Sequence, residues 1–226
     1  MLIHLDVTDS TNEYLKREDL PHGTIVWADR QTAGKGRGDH SFESPAGGIY
    51  FSCLLKALSP EDALLLTPKA AVAVCIALEE LLRLEPKIKW VNDILLRDKK
   101  VCGILCEHYK DMYIAGIGIN VSSAYLPEEL QSIAGGICDA SGEEMTYEQK
   151  ETLVRRISEI LSAPMEKDCL IIEYEKSLNV LGKTVRFTLD GKEKTGACAG
   201  INEYCNLIIK TDQGTVTLTS GEISLS

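Results

Sequence analysis

The 226-residue chain has no uncharged apolar run approaching the roughly 18 residues of a membrane-spanning helix, so none is expected. Its start, Met1-Leu2-Ile3-His4-Leu5-Asp6, lacks the basic opening and long apolar core of a secretory signal, and a cytoplasmic protein is expected. Positive charge is in deficit: 24 Lys and Arg stand against 34 Asp and Glu, a net −10. Broad binding along a nucleic-acid backbone needs clustered cations, so no DNA partner is expected. The deficit is uneven, with 13 cations against 15 anions in residues 1–100 and 11 against 19 in residues 101–226. A local anion site in the first half is therefore still allowed. There is no internal repeat, no low-complexity tract and no second ligand pair at zinc spacing. None of the four histidines can be placed in a catalytic triad from sequence. The eight cysteines are scattered through apolar runs, as around Cys75, and read as reduced, buried thiols.

What is present is ordinary globular material, 44% hydrophobic and 26% charged, enough for a sizeable core. A strand over residues 3–7 leads to a helix whose start carries a candidate capping box, Ser10 with Glu13. A strand over 23–29, a glycine-rich loop from Gln31 to about Gly48 and a strand over 49–55 follow. Helical spacing runs from Pro60 to Leu84, with Pro68 expected to open a new helix. Strands are expected over 88–91, 93–97, 101–108 and 112–121, with Asp98-Lys99-Lys100 as a hairpin connection. After a loop over 122–145, helices are expected at about 147–167 and 170–177. Beyond Gly182 five short strands come in quick succession, with turn signals at Asp190-Gly191 and Gln213-Gly214. The pattern is an α+β domain followed by a small all-β barrel.

Four segments have the residue types for chemistry. Gln31-Thr32-Ala33-Gly34-Lys35-Gly36-Arg37-Gly38 alternates glycines with cations, so that backbone N–H groups and positive charge converge on an anion. It is not a Walker A loop, and a plain surface turn is the other reading. Lys89-Trp90-Val91-Asn92-Asp93 is a core anchor with a turn, or it lines a nucleotide or metal site through Asn92 and Asp93. Lys100 stands at the mouth of an apolar strand containing Gly103, suited to a carboxylate substrate unless it is a solvated hairpin lysine. Gly116-Ile117-Gly118-Ile119-Asn120 is a core strand ending in an amide that could meet a base or phosphate. Cys102, Cys106 and His108 share one face of a strand, but without a second ligand pair they are not read as a metal site.

In this order, and with Asp9-Ser10-Thr11-Asn12, Ser44-Pro45, Glu107 and Gly221-Glu222-Ile223-Ser224-Leu225, the segments resemble the biotin protein ligase family over essentially the whole chain. The resemblance implies a mixed sheet with helices, like that of class II aminoacyl-tRNA synthetases, over residues 1–180. It implies a small SH3-like β-barrel over residues 181–226. It implies an ATP-dependent ligase that makes biotinyl-5'-AMP and passes biotin to a lysine of a biotin carboxyl carrier protein, a subunit of acetyl-CoA carboxylase. Biotin would be met by Ser10, Thr11, Asn12, Gln31, Lys35, Gly36, Arg37 and Lys100. The nucleotide would be met by Gly34, Lys35, Gly36, Arg37, Phe42, Lys89, Asn92 and Asn120, with Asp93 near Mg²⁺. Lys100 and Arg37 would be catalytic.

The chain departs from the family at Val91, often proline there, at Lys35, often arginine, and at Asp39 and Phe42, where many relatives have glycine and tryptophan. Only eight residues precede Asp9, too few for the helix-turn-helix of the bifunctional members, so a monofunctional ligase is expected. A homodimer is a further implication of the resemblance. The rival readings are a lipoate or octanoate ligase or transferase of the same fold, and a non-catalytic biotin-sensing protein.

Overall fold

A computed structural model describes residues 1–56 and 58–225. Strands β1 (Leu2–Thr8), β2 (Ile25–Gln31), β3 (Ile49–Leu55), β4 (Lys87–Lys89), β5 (Asp93–Leu96), β6 (Lys99–Tyr109) and β7 (Met112–Ile119) form one seven-stranded sheet. Its order is β1-β2-β3-β7-β6-β5-β4, and only β1 and β2 run parallel.

The two faces of this sheet differ because side chains alternate along a strand. Phe51 and Cys53 of β3, Cys102 and Ile104 of β6, and Ala115 and Ile117 of β7 join the main apolar core. Helices α2 (Pro60–Leu82), α3 (Tyr147–Ser162) and α4 (Lys167–Ser177) contribute Leu66, Val74, Ile157 and Tyr174 to the same core. The residues between them on β6 and β7 include Gly103, Gly116 and Gly118, so the opposite face is bare at its centre. Toward one end of that face α1 (Thr11–Arg17) packs Leu15 against Val26, Leu54 and Ile114. What α1 leaves uncovered is an open floor.

Several local expectations shift. Pro68 does not open a helix but lies inside α2, a single 23-residue helix capped at its start by Ser59. Pro68 cannot donate a backbone hydrogen bond, yet the buried Leu65, Leu66, Ala70 and Val74 around it hold the helix through packing. Ser10 is the N-cap of α1 but makes no side-chain capping bond, and Glu13 turns instead to Lys16 and Lys35. The β5–β6 hairpin turns on Arg97 and Asp98, both with positive φ as a type I′ turn requires, which places Lys99 and Lys100 in β6 itself. Near the C-terminus the turn lies at Asp212-Gln213, with Gly214 already in a strand.

The chain's last fifth forms β8 (Thr184–Leu189), β9 (Lys192–Ile201), β10 (Leu207–Thr211), β11 (Gly214–Leu218) and β12 (Ile223–Leu225). They make an antiparallel sheet in the order β11-β10-β9-β8-β12, and Asp190-Gly191 is its first hairpin turn. This sheet shares the main core through Val185, Phe187, Leu207 and Ile223. A directed bond ties it to the first, Trp90 Nε1 donating to Cys205 O at 3.0 Å, and the segment leading into β8 is tied there too, the Asn179 amide donating to Ile88 O at 2.9 Å. The cysteines are all free; five are buried, but Cys169 is exposed, against the expectation for all eight. No helix of the described residues is long and apolar enough to cross a membrane.

Asp9 fixes the entry to α1. Its carboxylate accepts from Arg17 and from the Ser10 amide at 2.7 Å, while its backbone carbonyl receives the Ala33 amide at 2.8 Å. The Arg17 hydrogen bond above all, helped by Ser10 and Thr8 against a burial effect of opposite sign, holds the Asp9 carboxyl well below the usual carboxylate range. A depressed folded-state pKa stabilises fully above the unfolded value of about 3.9, and the contribution fades as pH falls through the folded value. Asp9→Asn is thus expected to lower the unfolding midpoint at pH 7 by a small amount, since the pair is partly exposed, and by less as the pH drops below about 3. Thermal melts of both proteins across pH 2–7 check this; a gap that widens on acidification would contradict it.

Candidate active site

The bare sheet face is roofed on its rim by the glycine loop, by the segment 126–134 with its turn at Glu128–Leu130, and by β12, enclosing a cavity of about 1340 Å³. The floor is glycine because nothing larger fits. A Cβ on Gly116 would stand 2.3 Å from Asn12 Oδ1, and one on Gly118 would stand 2.5 Å from the Phe42 ring.

Every site residue expected from sequence reaches the cavity wall except Gly34. Gly34 is buried behind the wall, where a Cβ would meet Phe42 O at 2.3 Å and Ser44 Oγ at 2.5 Å. Its absent side chain lets the two arms of the loop cross, closed by the Phe42 amide donating to Gly34 O at 2.9 Å. Phe42 does not stand free as a stacking platform. Its ring lies across Gly103 and Gly118, with Lys100 Nζ 5.6 Å from its centroid, within cation–π range.

One end of the cavity is neutral and polar. Ser10, Thr11 and Asn12, each 3% exposed, are presented by the start of α1. Gln31 bridges to them: its Oε1 accepts from the Thr11 amide at 2.9 Å, and its Nε2 donates to Ser44 Oγ at 2.9 Å. Glu107 of β6 accepts from Asn12 Nδ2 at 2.7 Å and from Lys16 at 2.8 Å.

The other end is charged. Lys100 Nζ pairs with Asp93 Oδ1 at 2.8 Å across the β5–β6 hairpin. The backbone of Lys100 is also held, donating to Ile133 O at 3.0 Å and accepting from Gly135 N at 2.9 Å. Arg37 leans toward Asn92 Oδ1 at 3.5 Å, and Asn92 Nδ2 donates to Ile104 O at 3.0 Å. Among the described residues neither Arg37 nor Lys89 has a carboxylate partner, whereas Lys35 is paired with Glu13 at 2.7 Å. Lys16 and Lys35 hold the Glu13 carboxyl below its ordinary range, Lys16 contributing most. The cavity's uncommitted positive charge therefore belongs to Arg37 and Lys89, and a polyanion is the ligand it suits. Asn120 Oδ1 is buried without a partner among the described residues, an acceptor left for a ligand donor.

Sequence reading missed two parts of this wall and one residue behind it. Leu126, Leu130 and Ile133 come from a segment read only as loop, though Ile133 is 65% exposed and unusually apolar for one. Ile223 and Leu225 come from the second sheet, which no local signal tied to the site. Ser52, beneath Thr11 and Asn12, showed itself only as a hydroxyl in the apolar run 49–55.

The chain belongs to the biotin/lipoate A/B protein ligase family, whose model matches residues 4–122. Residues 180–226 match the biotin protein ligase C terminal domain. The chain is 33% identical over 247 residues to the bifunctional ligase/repressor BirA of Bacillus subtilis, covering 99% of this chain and 74% of that protein. Its counterpart from Bacillus spizizenii is 41% identical over 159 residues, or 64% of this chain, which spans 48% of that relative's length. Among solved structures, the biotin protein ligase of Aquifex aeolicus in complex with biotin and ATP superposes with a TM-score of 0.86 at 34% identity, over 100% of this chain and 98% of that one.

Proposed function

We infer that the chain is an ATP-dependent ligase that activates biotin as biotinyl-5'-AMP and transfers it to a lysine of a biotin carboxyl carrier protein. The observation that carries this is the cavity itself: a neutral, hydrogen-bonding end and an anion-ready end meet at Lys100, as a substrate with a polar ring, an acyl tail and a nucleotide requires. The C-terminal match to biotin protein ligases favours biotin over the lipoate or octanoate alternative.

A carboxylate is a poor acyl donor, so one of its oxygens attacks the α-phosphorus of ATP and pyrophosphate leaves. Lys100 and Arg37 offset the charge that accumulates between the carboxylate and the α-phosphate. Ser10, Thr11, Asn12 and Gln31 hold the ring, while Lys89, Asn92 and Asn120 serve the nucleotide. The carrier's lysine, as a free amine, then attacks the acyl carbon and AMP departs. No covalent bond to the enzyme is needed, so positioning and water exclusion by the loop and the 126–134 segment do most of the work.

No group of three or more His, Cys, Asp or Glu side chains able to hold a metal occurs among the described residues. Magnesium bound through nucleotide phosphates asks for only one or two carboxylates, and Asp93 fits that demand from beside Lys100. When bound there, the ion would supply charge neutralisation on the phosphates.

Residues 1–180 act as the catalytic domain and 181–226 as its β appendage, in a cytoplasmic enzyme whose carrier is the acetyl-CoA carboxylase subunit and which is able to form a homodimer. Pyrophosphate release is expected with ATP and biotin, and not with ATP and lipoate. Release with lipoate alone would overturn the assignment.

A further inference from the structure

Ser52 lies in the middle of β3, fully buried, on the sheet face that carries the glycine floor. Its oxygen is 2.6 Å from Thr11 Oγ1 and 2.6 Å from Asn12 Oδ1. A serine has one proton, so it cannot donate along both contacts.

The protons follow by elimination. Asn12 Nδ2 faces Glu107 Oε2 at 2.7 Å and Leu105 O at 3.4 Å, both acceptors, which fixes the amide with its nitrogen toward β6. Lys16 Nζ donates to the other Glu107 oxygen at 2.8 Å, so Glu107 accepts from both neighbours. Asn12 Oδ1 can only accept, so the Ser52 proton belongs to it. The remaining 2.6 Å contact then needs the Thr11 proton, donated to Ser52 Oγ. The alternative sends the Thr11 proton to Gln31 Oε1 at 3.2 Å, leaving two hydroxyl oxygens 2.6 Å apart with no hydrogen between them. Gln31 Oε1 already has the Thr11 amide at 2.9 Å. With every proton spent inward, Thr11 and Asn12 face the cavity with lone pairs alone.

We propose that Ser52, backed by Glu107, is a positioning residue that makes Thr11 and Asn12 obligate acceptors and so selects acids presenting N–H donors there: a cyclic urea over a dithiolane or a plain acyl chain. This rests on the biotin reading above and adds its source of specificity. A site built to receive a ligand N–H rejects an analogue without one because its buried acceptors are left unpaired.

The probe is a biotin analogue whose ring urea is a cyclic carbamate, one N–H replaced by oxygen, prepared as both regioisomers. By titration calorimetry the unaltered protein is expected to bind biotin roughly 10²-fold more tightly than the disfavoured isomer. Ser52→Ala frees the Thr11 proton to turn into the cavity and donate to the carbamate oxygen. The ratio is then expected to narrow to about tenfold or less. A purely structural role for Ser52 would weaken both ligands alike and leave the ratio where it was.

If Ser52→Ala fails to fold, Thr11→Val, which removes the acceptor at constant shape, is expected to narrow the ratio in the same way. Tight biotin binding with an unchanged ratio in every folded variant overturns the proposal. Binding of lipoate in place of biotin by the unaltered protein would instead overturn the functional assignment beneath it.

Discussion

Substituting Lys100 with methionine is expected to slow biotinyl-adenylate formation by roughly 10²–10³-fold, the usual cost of removing one electrostatic donor from a transition state. The side chain is held on the cavity floor from several directions. Its backbone is pinned to Ile133 and Gly135, its stem passes Gly103, and Asp93 steers its ammonium. The charge it meets grows during attack on the α-phosphorus, so kcat should fall more than KM for biotin changes. Methionine keeps the stem's volume, so the fold and the biotin-ring contacts should survive. Burst measurements of pyrophosphate release, with circular dichroism as a control, test this. A kcat within threefold of the unaltered enzyme would remove Lys100 from the chemistry. Lys100→Arg is expected to recover only part of the rate, because a planar guanidinium cannot occupy the ammonium's place between Asp93 and the Phe42 ring.

Trp90→Ala is expected to lower the stability of the whole chain by about 3–5 kcal/mol, as large-to-small changes of buried aromatics do. Trp90 is 3% exposed at the seam between the two sheets, and its indole N–H satisfies Cys205 O. Truncation would open a void and leave that carbonyl without its donor. Trp90→Phe keeps most of the packing and loses the hydrogen bond, so a cost nearer 1 kcal/mol is expected. Urea unfolding followed by far-UV dichroism gives both values. Equal losses in the two variants would mean that the bond, not the packing, holds the seam. Ile223 and Leu225 reach the cavity across this seam, so Trp90→Ala should also raise KM for ATP.

Much of the site was legible in one dimension because it is written in unusual residues. The glycine–cation loop, Asn92-Asp93, Lys100 and Asn120 break otherwise apolar or ordinary stretches, and nearly all converge on one wall. The strand order of the sheet was not legible, since a strand's pattern shows which face is buried but not its neighbours. Pro68 inside α2 and the uncapped Ser10 failed as local signals for one reason: tertiary packing and ion pairs outweigh preferences of about a kilocalorie or a few.

Phe42 and the loop around Lys35 show the division most plainly. The sequence by itself establishes a cationic, glycine-rich loop suited to an anion, and the ordered motifs whose resemblance to a family implies the chemistry. Only the folded chain decides that Lys35 is spent on Glu13, that Arg37 and Lys89 hold the uncommitted charge, and that Phe42 lies over the floor glycines. Which proton a buried hydroxyl gives, and to whom, is decided there too, because it depends on partners 40 to 95 positions away in the chain. Residue types set what a site can do. The distances between residues remote in sequence set which of those things it does.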